Sequence, residues 1–263
     1  MKTYKLLVVA CVIAVGVVSP QAQGIYTSNL VTYANQLVGP NFSQQPTPLD
    51  VVGGNSLTNV FKNPYNAAYE GGPLDGDQAF IWNGHGFDIY TFDSALITGL
   101  GDAQDIDGIP QPVPTVNPGV LFYFFNGGFT FTNTVVGTVH VDFPPTGTNV
   151  VGTTTNIIPG NLQFLASKLP IGGGISSGLG LTNPSPGGPG NGVLDGDQVY
   201  VPIIATDGQF KGYTIYTFDS TLSTGFGDAQ DVDGIAKPEP VISFGNGFLL
   251  FNAGTTLVWT QSQ

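Results

Sequence analysis

Gln78–Asp93 reads QAFIWNGHGFDIYTFD. Two runs of aromatic and β-branched residues flank Asn83-Gly84-His85-Gly86. Asn-Gly between such runs is a strong β-hairpin signal, because a tight turn needs residues that tolerate positive φ. The same text returns later in the chain. IYTFDS occupies Ile89–Ser94 and Ile215–Ser220, LDGDQ occupies Leu74–Gln78 and Leu194–Gln198, and GDAQDxDGI occupies Gly101–Ile109 and Gly227–Ile235. A looser match joins ANQL (Ala34–Leu37) to ASKL (Ala166–Leu169). The order is the same in both halves, which is the sequence signature of a repeated unit.

The spacing locates the differences between copies. Ala34 to Ala166 is a step of 132 residues, Leu74 to Leu194 one of 120, and Ile89 to Ile215 one of 126. Two variable segments are therefore expected, one before LDGDQ and one inside the hairpin that follows it. Length changes of this kind are tolerated in surface loops and hairpin tips.

GVLFYFFN, FTFTNTVVGTVHVDF and GFLLFNAGTTLVWT read as further strands, and no segment after the leader sustains a helical period. The expected fold is all-β. It is a tandem duplication of a small antiparallel β-domain, sandwich- or barrel-like, forming two homologous domains or one pseudo-twofold assembly. The expected boundaries are a first β-repeat domain at 25–142, a linker at 143–160 and a second β-repeat domain at 161–263.

Residues 1–24 read as a secretory signal. Lys2 and Lys5 precede an unbroken apolar or glycine run from Leu6 to Val18, then small and polar residues, with cleavage expected after Ala22 or Gly24. The run is short for a bilayer span, which needs about 20 apolar residues. The only cysteine, Cys11, lies in this leader, so the exported chain would hold no disulfide. The expected location is the periplasm, outer cell surface or extracellular space, with no membrane insertion after cleavage. The formal net charge is −12, and arginine is absent. Such a chain does not grip phosphate backbones, which excludes nucleic acid as a partner.

The chain resembles a family of secreted, internally duplicated all-β proteins of environmental Gram-negative bacteria. The likeness rests on the exported leader, ANQL, LDGDQV at Leu194–Val199, and GYTIYTFD at Gly212–Asp219. It rests also on Pro238-Glu239-Pro240 followed by Gly245, Gly247-Phe248 and Asn252, and on ASKLP at Ala166–Pro170. Gly119-Val120-Leu121-Phe122 departs from the Gly-x-Gly-Phe of the second half. The resemblance implies architecture and export, and it brings no catalytic residues.

Six aspartates per copy sit in the copied phrases. Asp-rich loops with glycine can supply the oxygens that calcium requires. The candidate calcium ligands are Asp102, Asp105 and Asp107, with Asp228, Asp231 and Asp233 in the twin. The EF-hand register fails: aligned on Gly108, its first and twelfth positions are Ala103 and Pro114, and in the twin Ala229 and Pro240. Plain turn chemistry is the competing reading, since Asp before Gly caps nearby backbone N–H groups. LDGDQ in particular reads as a turn feeding a strand.

Catalysis finds little support. His85 and His140 have no counterparts in the other half, and no nucleophile, zinc or phosphate-loop motif is present. The expected role is therefore non-catalytic: an exported cell-surface, envelope or matrix protein with a structural or adhesive part. The alternative is a calcium-stabilised carbohydrate-binding module, and a glycan-acting enzyme comes third. The partners expected are an extracellular glycan or a second copy of the chain. Most aromatics are expected in the core, with Trp82 and Trp259 as candidate sugar-stacking faces. Glycan binding would place an exposed aromatic platform at equivalent positions in both halves.

Overall fold

The computed structural model describes residues 31–47, 49–61, 74–102, 109–128, 130–139, 153–169, 171–184, 192–229 and 235–262. In the first half the strands are β1 (Val31–Val38), β2 (Asn41–Pro46), β3 (Asp50–Val51), β4 (Gln78–Trp82), β5 (Phe87–Phe92), β6 (Leu100–Asp102), β7 (Leu121–Asn126) and β8 (Phe131–Thr138). In the second they are β9 (Thr153–Ile158), β10 (Asn161–Ala166), β11 (Gly173–Gly174), β12 (Gln198–Ile204), β13 (Phe210–Phe218), β14 (Phe226–Asp228), β15 (Val241–Ile242), β16 (Gly247–Asn252) and β17 (Leu257–Ser262). All pairings are antiparallel, and none of the sheets closes into a barrel.

One five-stranded sheet runs β2-β7-β4-β5-β6 and the other β10-β16-β12-β13-β14. They correspond in order and in register. Asn41 faces Asn126 as Asn161 faces Asn252, and Gln78 faces Thr91 as Gln198 faces Thr217. Tyr90 faces Asp102 as Tyr216 faces Asp228. Each sheet carries a smaller second layer, β1-β8-β3 in the first half and the β9–β17 pair in the second.

This register corrects one of the sequence matches. Ala34–Leu37 lies on β1, whereas Ala166 ends β10. The strand that corresponds to β1 is β9: Val38 pairs with Phe131 at the start of β8, as Ile158 pairs with Leu257 at the start of β17. The true anchor is the turn after each strand, where Asn41 (φ 63°) and Asn161 (φ 76°) both take the left-handed conformation that Asn tolerates. The step between halves is then 120 residues from β1 through LDGDQ, so a single length difference remains, in the hairpin that follows. Residues 153–158, expected inside the linker, are strand β9 paired with β17.

The sequence showed no helix, and α1 (Leu57–Val60) is a single turn too short to leave a period. Ser56 caps it, its hydroxyl accepting from the Asn59 N–H at 3.3 Å.

Each half has its own core between its two layers. In the first, Val38, Val51 and Val135 of the small layer meet Ala79, Phe92, Phe122 and Phe124 of the five-stranded sheet, with Leu57, Val60 and Phe61 closing one end. Phe61 stacks on Phe124 at 4.5 Å. In the second, Ile158 and Trp259 meet Val199, Phe218, Phe248 and Leu250. Burying each large apolar side chain contributes about 1.5–3 kcal/mol. Trp259 is thus core, not a sugar platform, and its indole N–H donates to the Leu179 carbonyl at 2.7 Å.

A third apolar cluster joins the halves. Leu121, Phe164 and Leu249 are buried together, with Trp82, Tyr123, Leu162, Tyr200 and Tyr213 packed around them. These residues lie on the faces of the two large sheets turned away from their own cores. Tyr123 and Tyr213 share a hydrogen bond across this seam, and the Gln44 amide donates to the Tyr213 hydroxyl at 2.7 Å. Val120 bridges to Leu165, and the Ala166 N–H donates to the Gly119 carbonyl at 2.9 Å. Leu169 of the second half sits in the first core.

Candidate functional site

The LDGDQ and TFDS phrases resolve into clamps. In Leu74-Asp75-Gly76-Asp77 the Asp77 N–H donates to the Leu74 carbonyl at 2.8 Å, and Gly76 sits at φ 87°. That is a type II turn, which requires a residue able to take positive φ in its third position. Leu194-Asp195-Gly196-Asp197 repeats it, with Gly196 at φ 89°.

Asp75 accepts from the Ser94 N–H at 2.8 Å and the Ser94 hydroxyl at 2.7 Å. Asp195 takes the matching pair from Ser220, and adds Asn183 and the Gly192 N–H. Burial alone would raise the Asp195 carboxyl; hydrogen bonds from Ser220, Asn183 and Gly192 together hold it below the usual range. Asp93 and Asp219 each accept from the N–H two residues on, at Ala95 and Thr221.

Asp77 and Asp197 are buried and clamp a neighbouring turn, accepting from the Gly127 N–H and the Ala253 N–H at 2.9 Å. Burial pushes Asp77 up to about 6, opposed by the Gly127 bond, and it raises Asp197 in the same way.

Asp102 and Asp228 end the corresponding edge strands β6 and β14. Asp228 is paired with Lys237 at 2.9 Å. Asp105, Asp107, Asp231 and Asp233, the other candidate calcium ligands, lie outside the described residues. Among the described residues no three His, Cys, Asp or Glu side chains are placed to hold a metal ion. His85 is exposed in its hairpin turn; His140 lies outside the described residues.

Among the described residues, two concave regions stand open to solvent. One, of about 510 Å³, is lined by Ser176, Ser177, Ser220, Thr224 and Glu239 among others. Several of its polar groups are committed within the protein. Glu239 accepts from the backbone N–H groups of Ser176 and Ser177 and from the Ser177 hydroxyl, and Ser220 holds Asp195.

The other, of about 460 Å³, opens at the end of the seam and is lined by Asn41, Phe42, Phe80, Phe87, Tyr123, Gln209 and Phe210. Phe42 and Phe87 are 42% and 37% exposed. The rings are contiguous: Phe42–Phe80 at 5.3 Å, Phe80–Phe87 at 6.4 Å, Phe87–Tyr123 at 5.7 Å and Tyr123–Phe210 at 5.9 Å. Trp82, the remaining candidate sugar-stacking residue, packs behind Phe87 at 5.2 Å and against Phe164 at 5.4 Å.

The groove is single rather than duplicated, so the exposed aromatic platform expected at equivalent positions in both halves is not found among the described residues. The positions in the second half that correspond to Phe42, Phe80, Phe87 and Tyr123 are Leu162, Tyr200, Tyr213 and Leu249, by the shared register. Those four pack into the seam. The sequence did hold a signal for this. LFYFFN of β7 is apolar at alternate positions on both sides, as a strand buried on both faces should be.

Comparison with protein-family models, with curated proteins and with solved structures returns no match.

The buried Asp77 gives a pH test. Its folded pKa stands above its unfolded value, so the folded state binds the extra proton. Stability is therefore gained in full below about pH 4 and lost as pH rises through about 6. Asp195 and Glu239 are lowered, so their contributions are lost only below the ordinary carboxylate range. Melting temperature is expected to be higher at pH 5 than at pH 7.5. In Asp77→Asn, which keeps an acceptor for Gly127, that difference should shrink, with the gain at pH 7.5.

Proposed function

We propose that this chain is an exported, non-catalytic protein of the cell surface, envelope or extracellular matrix whose part is adhesive. The observation that carries the reading is the aromatic groove. Its floor is contiguous aromatic surface open to solvent, and residues of both halves build it. Asp75, Asp77, Asp195 and Asp197 serve the frame instead, bonded to backbone N–H groups of a neighbouring turn, and Asp228 is paired with lysine. We read the halves as two copies of one unit, stiffened by these clamps and locked face to face. Such a frame holds an exposed aromatic surface in fixed geometry, which lowers the ordering cost of binding. The leader-like first 24 residues support export, and the resemblance to secreted duplicated β-proteins agrees with it.

The calcium-stabilised carbohydrate-binding module is the second reading. The matching placement of Asp102 and Asp228 at the mouths of two equivalent loops favours it, and calcium there would be structural. After EDTA treatment, added Ca²⁺ should then raise the melting temperature, and Asp105→Ala with Asp231→Ala should abolish the rise.

The adhesive role is tested by retention of the purified mature chain on washed cells of the producing organism. Wild type should be retained. Phe42→Ala with Phe87→Ala should lower retention at least tenfold while leaving the melting temperature within a few degrees, since both rings are partly exposed. Equal retention of the two proteins contradicts the groove as the adhesive surface.

A further inference from the structure

The one length difference between the halves builds the wall of the groove. In the first half the β4–β5 hairpin closes directly after the Trp82–Phe87 pair, with the Asn83 N–H donating to the Gly86 carbonyl at 3.0 Å. In the second half the β12–β13 hairpin continues past the matching Pro202–Tyr213 pair through Ile203–Gly212 and Ile204–Phe210, and turns at Ala205–Gln209. A bulge at Lys211 shifts the register, with Gly212 at φ 129°.

The added tip crosses to the first half. Phe210 meets Tyr123, the Asp207 carbonyl accepts from the Thr130 hydroxyl at 3.2 Å, and Gly208 lies against the Gly39 backbone. A Cβ on Gly39 would sit 2.5 Å from the Gly208 carbonyl carbon, so the approach needs glycine there. The first half stands without such an extension. The tip is therefore not required by the sheet itself; it supplies Gln209 and Phe210 to the groove.

We infer that the groove takes an uncharged glycan, with the C–H face of a sugar ring stacked on Phe42 and Phe87 and its hydroxyls met by the amides of Asn41 and Gln209. This rests on the adhesive reading and names its ligand. Three features of the groove select that class. Its lining holds no carboxylate or imidazole; one ammonium, that of Lys211, donates to the Gln209 amide oxygen beside it, and the chain's net charge of −12 opposes polyanions. Its floor is contiguous aromatic surface, which offers flat apolar area to the C–H face of a sugar. Its rim carries two amides, that of Asn41, able to donate and accept, and that of Gln209, whose oxygen accepts from Lys211 and whose N–H groups remain as donors, which suits hydroxyl groups.

A lipid chain fits less well. It would need a site that encloses most of its surface, and this groove lies open along one side. An apolar peptide side chain would use the floor but leave the rim amides unemployed.

The test uses the mature chain and a panel of neutral oligosaccharides: glucans, mannans, galactans and N-acetylhexosamine polymers. Binding is read by calorimetry and by fluorescence of Trp82, which touches Phe87. At least one neutral class should bind, and an acidic oligogalacturonate should bind at least tenfold more weakly. Phe42→Ala and Phe87→Ala should each weaken binding at least tenfold. Gln209→Ala, on the exposed hairpin, should weaken it about threefold to tenfold without touching the fold.

Absence of binding across the neutral panel overturns the inference, as does binding that survives both phenylalanine variants. If the panel fails while cell retention still depends on Phe42 and Phe87, the ligand class is wrong and the adhesive reading stands. If retention is also indifferent to them, both are wrong.

Discussion

Each large sheet in this protein is apolar on both faces, and that constraint governs the rest. One face of each sheet is covered by its own small layer, through Phe122 and Phe124 in the first half and Phe248 and Leu250 in the second. The other face carries Leu121 and Tyr123, or Leu249 and Tyr213, and would meet water if the halves stood apart. Exposed patches of that kind drive association. Packing the two faces together buries them and brings Tyr213 between Tyr123 and Gln44. Burial, and then the bond shared with Tyr123, raises the Tyr213 pKa, so the phenol stays neutral and the seam gains polar links without burying a charge. The groove is the place where this packing is incomplete: Phe42 and Phe87 continue the apolar face beyond the cover that the second half provides.

The acidic residues have a different part from the one their density suggests. A chain with few basic residues cannot neutralise clustered carboxylates with ion pairs. The carboxylates of Asp75, Asp93, Asp195 and Asp219 instead accept from N–H groups of nearby turns, and the LDG turns feed strands β4 and β12 directly. Asp77 and Asp197 pay a desolvation cost to reach Gly127 and Ala253, and so tie the β4 and β12 entries to the turns after β7 and β16.

Much of this was legible in the text of the chain. NGHG between two aromatic runs marked a hairpin, LDGDQ marked a turn, and the β-rich segments fell where strands occur. Local turn chemistry and alternation carry such features. The seam was not legible, because nothing local to LFYFFN tells which body covers its second face. The ANQL–ASKL likeness misled, since Ala34–Leu37 lies on β1 while ASKL begins at the last residue of β10, a strand that does not correspond to it, and the left-handed Asn41 and Asn161 mark the equivalence only in three dimensions. The step from 120 to 126 residues located the longer hairpin correctly. Its reach to Thr130 and Tyr123 depends on how the halves pack, which no single hairpin encodes.

The most direct test of this account is scanning calorimetry of residues 25–263. If the halves are locked through their second faces, they unfold together, in one transition whose calorimetric and van't Hoff enthalpies agree. Two resolved transitions, one for each half, would contradict the shared seam and with it the groove that the seam creates.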